Sequence, residues 1–197
     1  MTRPETFTQD RLGWIPWIQP VEREDLSPEQ HEALQDDFRR AMPYFRLLAR
    51  DPQALAARTL TDKDIFFNTE GGAGRAEREL AATAASRANG CIYCASVHSA
   101  SATRESGRYD DVQRLLDEGV GADLGSETWN AIAHAADVLT HVPLDFGPEQ
   151  IDRLRDAGLS DAEIVDVING AAFFNWANRL MLSLGEPEIP ARKADRA

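Results

Sequence analysis

The chain has 197 residues, 43% hydrophobic and 27% charged, a composition that suits one globular domain with a core of its own. Its 33 acidic and 21 basic residues give a formal net charge of −12, which repels phosphate backbones and anionic lipid, so neither nucleic acid nor a membrane surface is an expected partner. No apolar run approaches the ~18 residues of a membrane span and Met1–Asp10 has no signal-like core, so a soluble, cytoplasmic protein is expected.

The predicted elements are helical nearly throughout. Residues 1–26 form an expected N-terminal arm, in which Trp14, Ile15, Trp17 and Ile18 sit among prolines and no alternation of period two is convincing. Residues 27–197 then read as one all-α domain of six to eight helices. Ser27-Pro28-Glu29 is a helix start, and Leu34, Phe38, Ala41, Phe45 and Leu48 recur at the spacing of one face, with a kink or restart at Pro43. Arg75–Ala88 is an Ala-rich helix with a buried stripe of Leu80, Ala81, Ala84, Ala85 and Ala88, closed by Asn89-Gly90. The next runs from Cys91 to about Ser106 and stops at Gly107. Tyr109–Glu118 ends at Gly119, Ser126 caps a helix carrying Trp129, Ile132, Ala133, Ala136 and Leu139, and Pro148–Ala157 ends at Gly158. Ser160 and Glu163 form a capping box for a long helix reaching about Leu184.

Chemistry concentrates at the only two cysteines, Cys91 and Cys94. At ~100° per residue, Cys94 lies about 60° and His98 about 20° from Cys91 around the helix, so all three share one face. Cys91 falls in the first turn, where backbone N–H groups favour a thiolate, and His98 lies one turn beyond Cys94 as a base. Four other readings compete, one of which, His98 as a satisfied core histidine, is disfavoured by its position beside two thiols. Both cysteines could be small buried hydrophobes. A zinc site would need a fourth ligand, and no second C-x-x-C or H-x-x-x-H supplies one. A thioredoxin-type domain would place a strand before the motif, whereas here a helix precedes it.

The segment Glu79–His98 resembles the AhpD-like alkylhydroperoxidases of the carboxymuconolactone decarboxylase superfamily. Glu79, Ser86, Asn89, Cys91, Cys94 and His98 fit the family pattern without a gap, and Phe174-Asn175-Trp176-Ala177-Asn178-Arg179 resembles the F-N-x-x-N-R stretch of its peroxidase-related branch. The resemblance implies that Cys94 attacks a hydroperoxide and Cys91 resolves the sulfenic acid as a disulfide. It also implies a proton relay of His98 and Glu79; Glu77 is a nearby rival, but by helix geometry it lies about 200° from Glu79 and is expected to face solvent. By the same resemblance there is no metal, haem or flavin, and electrons come from an external dithiol, a lipoyl group or a thioredoxin-like protein.

One departure is Tyr93, where some family members have a histidine; a phenol is a poor base near neutral pH. The decarboxylase branch typically lacks the cysteine pair, which argues against lactone decarboxylation. A general disulfide oxidoreductase or redox sensor on the same fold is the alternative activity, and a non-redox helical assembly module the third reading.

Among the other residues, Asn175, Asn178 and Arg179 share a helix face and read as a polar network between helices; His134 reads as packed, and His31 and His141 carry no signal. The arm's apolar side chains must fold back on their own helices or cross a neighbouring subunit. Family members form trimers or hexamers, so a homo-oligomer is expected, its interface formed by the arm and the helix face carrying Phe173 and Phe174.

Overall fold

The computed structural model describes residues 2–68 and 70–190. The end of the domain expected over 27–197, residues 191–197, lies outside them. Ten α-helices and one short antiparallel ribbon make up the described residues, more helices than the six to eight expected. The excess arises at the N-terminal side. The single interrupted face read over Leu34–Leu48 is three short helices, α1 (Pro28–Leu34), α2 (Asp37–Ala41) and α3 (Pro43–Leu48), and Phe38 and Ala41 are exposed rather than buried. Gln35 takes a positive φ of 62°, which stops α1, and Asp36 caps α2 through its side chain. A further helix, α4 (Pro52–Phe67), starts on an Asp51 cap with proline at its first position.

The remaining helices follow the caps read from the sequence. They are α5 (Arg75–Ala88), α6 (Ile92–Ser106), α7 (Tyr109–Glu118), α8 (Glu127–Thr140), α9 (Pro148–Asp156) and α10 (Asp161–Leu184). Ser27, Ser126 and Ser160 each accept a backbone N–H at a helix start, and Gly107 closes α6 in the left-handed conformation.

Helix α5 is the axis of the fold, packed against α6, α8 and α10. Every residue from Arg78 to Ser86 is buried, so the stripe expected on one face is in fact the whole circumference, and Ala88 alone of the predicted stripe is exposed. The alanines let neighbours approach closely. A Cβ on Gly170 of α10 would lie 3.3 Å from the Arg78 carbonyl of α5. Arg78, itself buried, donates to the carbonyls of Ile65, Asn68, Gly71 and Ala73 and pairs with Asp166 of α10 at 3.1 Å, which fixes the loop between α4 and α5.

The arm contains a strand, β1 (Gly13–Pro16), paired antiparallel with β2 (Gly185–Glu188), with Gly13 opposite Glu188 and Pro16 opposite Gly185. This ribbon corrects the strand-free reading and shows the arm folded on its own chain. Trp14 is buried edge-on against Tyr44, ring centroids 5.4 Å apart. Only a glycine fits at 185, because a Cβ there would lie 2.3 Å from the Ile15 carbonyl oxygen. Trp17 and Ile18 stay 60% and 50% exposed, whereas Phe173 and Phe174, expected at a subunit interface, are buried within the protomer. Among the described residues no helix is long and apolar enough to cross a membrane.

Candidate active site

The α5–α6 turn builds the site. Asn89 ends α5, Gly90 takes φ +74° and Cys91 is the N-cap of α6, so α6 folds back beside α5. The Cys91 N–H donates to the Ser86 carbonyl at 2.9 Å, which locks the turn. Cys91 and Cys94 are both free thiols, 2% and 5% exposed.

The two sulfurs face different spaces. Cys94 lines a cavity of about 400 Å³ together with His98 and Glu79, its walls dominated by Phe38, Phe45, Phe66, Phe67, Phe174 and Met181. Cys91 does not reach it, and borders instead a void of about 20 Å³ closed by Trp14, Tyr93, Gly185 and Pro187. The ribbon therefore caps the Cys91 side and the aromatic cavity serves the Cys94 side.

Glu79 is buried rather than solvated, and its Oε2 lies 2.6 Å from His98 Nδ1. A carboxylate only accepts, so Nδ1 donates to Glu79, and Nε2 is the nitrogen left to exchange a proton. The second carboxylate oxygen accepts from Arg75 Nε and Nη2, both at 3.1 Å. The His98 ring packs in a cluster with Phe66 and Phe174, at centroid distances of 5.2 and 3.9 Å. Glu77 does not face open solvent: it is half-buried and accepts from the Trp129 indole at 3.2 Å.

The thiols titrate as a pair. The Cys94 thiol, as hydrogen-bonding neighbour, pulls Cys91 below the usual thiol range against the opposing effect of burial, helped by the backbone N–H groups of Cys94 and Tyr93 and by the Asn178 amide. Cys94 is held well above that range, first by its role as donor to Cys91 and then by burial. In the resting dithiol negative charge therefore gathers on Cys91, while the cavity and the histidine lie on the Cys94 side. Burial and the neighbouring Cys94 charge push Tyr93 up to about 12, which removes it as a base near neutral pH.

Behind the thiols runs the polar network read from the F-N-x-x-N-R stretch. Asn178, fully buried, donates to Ser86 Oγ at 3.0 Å and accepts from Asn89 Nδ2 at 3.1 Å. Asn89 also donates to Asn175 at 3.2 Å, and Arg179 donates to Asn175. Sequence reasoning missed Arg75, Tyr44 and Arg58. Arg75 stands one turn before Glu79 on the same face, a spacing that could have revealed it; Arg58 and Tyr44 reach the cavity only through tertiary packing. Among the described residues no group of three or more His, Cys, Asp or Glu side chains is placed to hold a metal.

Residues 52–137 match the model of the carboxymuconolactone decarboxylase family. No curated protein sequence matches the chain. Among solved structures, the chain is similar to an uncharacterized peroxidase-related protein from Ralstonia eutropha JMP134, described as an alkylhydroperoxidase AhpD core, with TM-score 0.71 and 23% identity over 84% of this chain and 88% of that one. It is also similar to an uncharacterized peroxidase-related protein from Silicibacter sp. TM1040, with TM-score 0.67 and 25% identity over 95% of both chains. The debrominase Bmp8 shares the fold at TM-score 0.68 and 20% identity, over 85% of this chain and 89% of that one. With the all-helical architecture and the Cys-x-x-Cys helix turn already in place, these likenesses show that the chain has the AhpD-like fold and that residues 52–137 resemble the carboxymuconolactone decarboxylase family.

Proposed function

We propose that the protein is a thiol-dependent hydroperoxide reductase acting through Cys94. The observation that carries this reading is the placement of Cys94, and not Cys91, on the aromatic cavity beside a buried Glu79–His98 couple. Charge favoured on Cys91 does not oppose it, because the two thiols titrate as a coupled pair. Transfer of the Cys94 proton to Cys91 exposes a thiolate on the cavity side without releasing a proton to water.

The Cys94 thiolate attacks the terminal peroxide oxygen of R–O–O–H, forming S–O and breaking O–O. The departing alkoxide takes a proton, delivered through His98, and leaves as the alcohol. Cys91 then attacks the Cys94 sulfenic acid, forming the disulfide and releasing water. An external dithiol, lipoyl or thioredoxin-like, returns both thiols and is itself oxidised to a disulfide. The aromatic cavity in front of Cys94 supports this reading over general exchange with protein disulfides, since it offers a small hydroperoxide an apolar site of its own.

Stopped-flow mixing of the reduced protein with cumene hydroperoxide, hydrogen peroxide or an oxidised thioredoxin-type protein tests it. Loss of two thiols per peroxide, with little exchange with the protein disulfide, is expected. Inertness to both peroxides beside ready exchange would replace it by the disulfide oxidoreductase or sensor.

A further inference from the structure

Three guanidiniums line the cavity, Arg39, Arg58 and Arg75, and among the described residues Arg58 is the one that makes no hydrogen bond. Arg58 of α4 is 7% exposed, and its guanidinium lies 5.3 Å from the Phe45 ring, 5.2 Å from Phe173 and 5.9 Å from Tyr44. Among the described residues its Nε and Nη1 are buried without a hydrogen-bond partner, and so is the Tyr44 hydroxyl beside it. Both residues line the cavity in front of Cys94. The nearest carboxylate, Asp62, is 4.0 Å from Arg58 Nη1 and already bonded to Arg39 at 3.0 Å; Arg39 takes Asp36 as its second partner. Arg39 and Arg75, the other two guanidiniums on the cavity, are thus bonded to carboxylates, Arg75 to Glu79.

A buried guanidinium lacking hydrogen bonds is costly, and aromatic faces replace only part of its lost hydration. Arginine presents N–H groups in a planar fork that matches a carboxylate. Phenylalanine and methionine side chains line the same cavity and suit an apolar body, while Asp36 and Asp62, which also line it, are held by Arg39. We infer that Arg58, assisted by the Tyr44 hydroxyl, anchors the carboxylate of an amphiphilic organic monoanion whose apolar part fills the cavity in front of Cys94. Resting on the reading of this cavity as the substrate site, it makes the preferred substrate a small carboxylic acid bearing a hydroperoxide, in place of hydrogen peroxide. Arg58 acts on Cys94 through its charge, lowering the thiol pKa, and makes no hydrogen bond to it, which leaves its fork free for a ligand.

Calorimetry on the reduced full-length protein with benzoate and with its neutral isostere benzamide tests the anchor without any turnover. Benzoate should bind roughly tenfold or more tightly than benzamide, as expected for a hydrogen bond to a charged group in a buried site. It should also slow iodoacetamide labelling of Cys94 mapped by mass spectrometry. Arg58→Gln should abolish the preference, and Arg58→Lys should retain part of it. Equal binding of the two ligands, no benzoate binding in the millimolar range, or a preference that survives Arg58→Gln in a natively folded variant overturns the inference. If Arg58→Gln does not fold, the wild-type comparison and Arg58→Lys decide it. A protein inert to peroxide that still selects benzoate refutes the peroxidase reading alone.

Discussion

Asn178 is the residue through which the thiol pair and the helix core are most closely joined. Asn178→Ala removes the donor to Ser86 Oγ and the acceptor for Asn89 Nδ2 from a fully buried position. Ser86 still donates to the Ala82 carbonyl at 2.7 Å and Asn89 still reaches Asn175, so the loss is one hydrogen-bonding group per neighbour plus a small cavity. Together these cost about 3 kcal/mol, or roughly 6–12 °C in Tm for a chain of this size. The chemical effect is separable. The Asn178 amide lowers both thiols, so its removal should raise the apparent pKa of the pair. A lost hydrogen bond to a thiolate of about 1.4 kcal/mol corresponds to roughly one pKa unit and a tenfold slower alkylation below the midpoint. Asn178→Asp should raise it further, because a buried carboxylate opposes a second negative charge. Iodoacetamide labelling across about pH 5 to 10, read beside calorimetric Tm, checks both effects. A lowered Tm with an unmoved labelling profile would show that Asn178 supports the helices only, and the coupling to the thiols would be refuted.

Three further outcomes are expected. Cys94→Ser abolishes peroxide consumption, while Cys91→Ser still yields a sulfenic acid on Cys94 that a dimedone reagent captures; dimedone adducts found only on Cys91 would reverse the roles. His98→Ala slows the peroxide-driven step by about a hundredfold or more, the usual scale for a lost general acid, at unchanged helix content, and Glu79→Gln slows it less because Glu79 acts by holding the ring. Unaltered stopped-flow rates in both variants would remove the couple from the mechanism. Gly185→Ala forces the ribbon apart and lowers stability by about 1–3 kcal/mol with a red-shifted Trp14 emission, whereas Trp17→Ser with Ile18→Ser leaves the ribbon intact and shifts the mass in light scattering toward the monomer. An unchanged mass would discard that patch as the proposed homo-oligomer interface.

Local chemistry in the sequence determined most of the helix ends. Ser126 and Ser160 act on backbone groups three residues away, and Gly107, Gly119 and Gly158 release the chain where the apolar period stops, so no distant partner is needed to read them. The shared face of Cys91, Cys94 and His98 follows equally from helix geometry. Helix α4 escaped because its buried positions include Arg58 and Thr59, polar residues that break the apolar repeat although the Asp51-Pro52 start is present. The ribbon escaped because Gly13–Pro16 finds its partner only at Gly185–Glu188, the far end of the chain. Burial of Glu79, the opposite spaces faced by the two sulfurs and the unsatisfied guanidinium of Arg58 were decided by tertiary structure alone. Each depends on which helix covers which face, and side-chain solvation and charge are set by neighbours that no local spacing specifies.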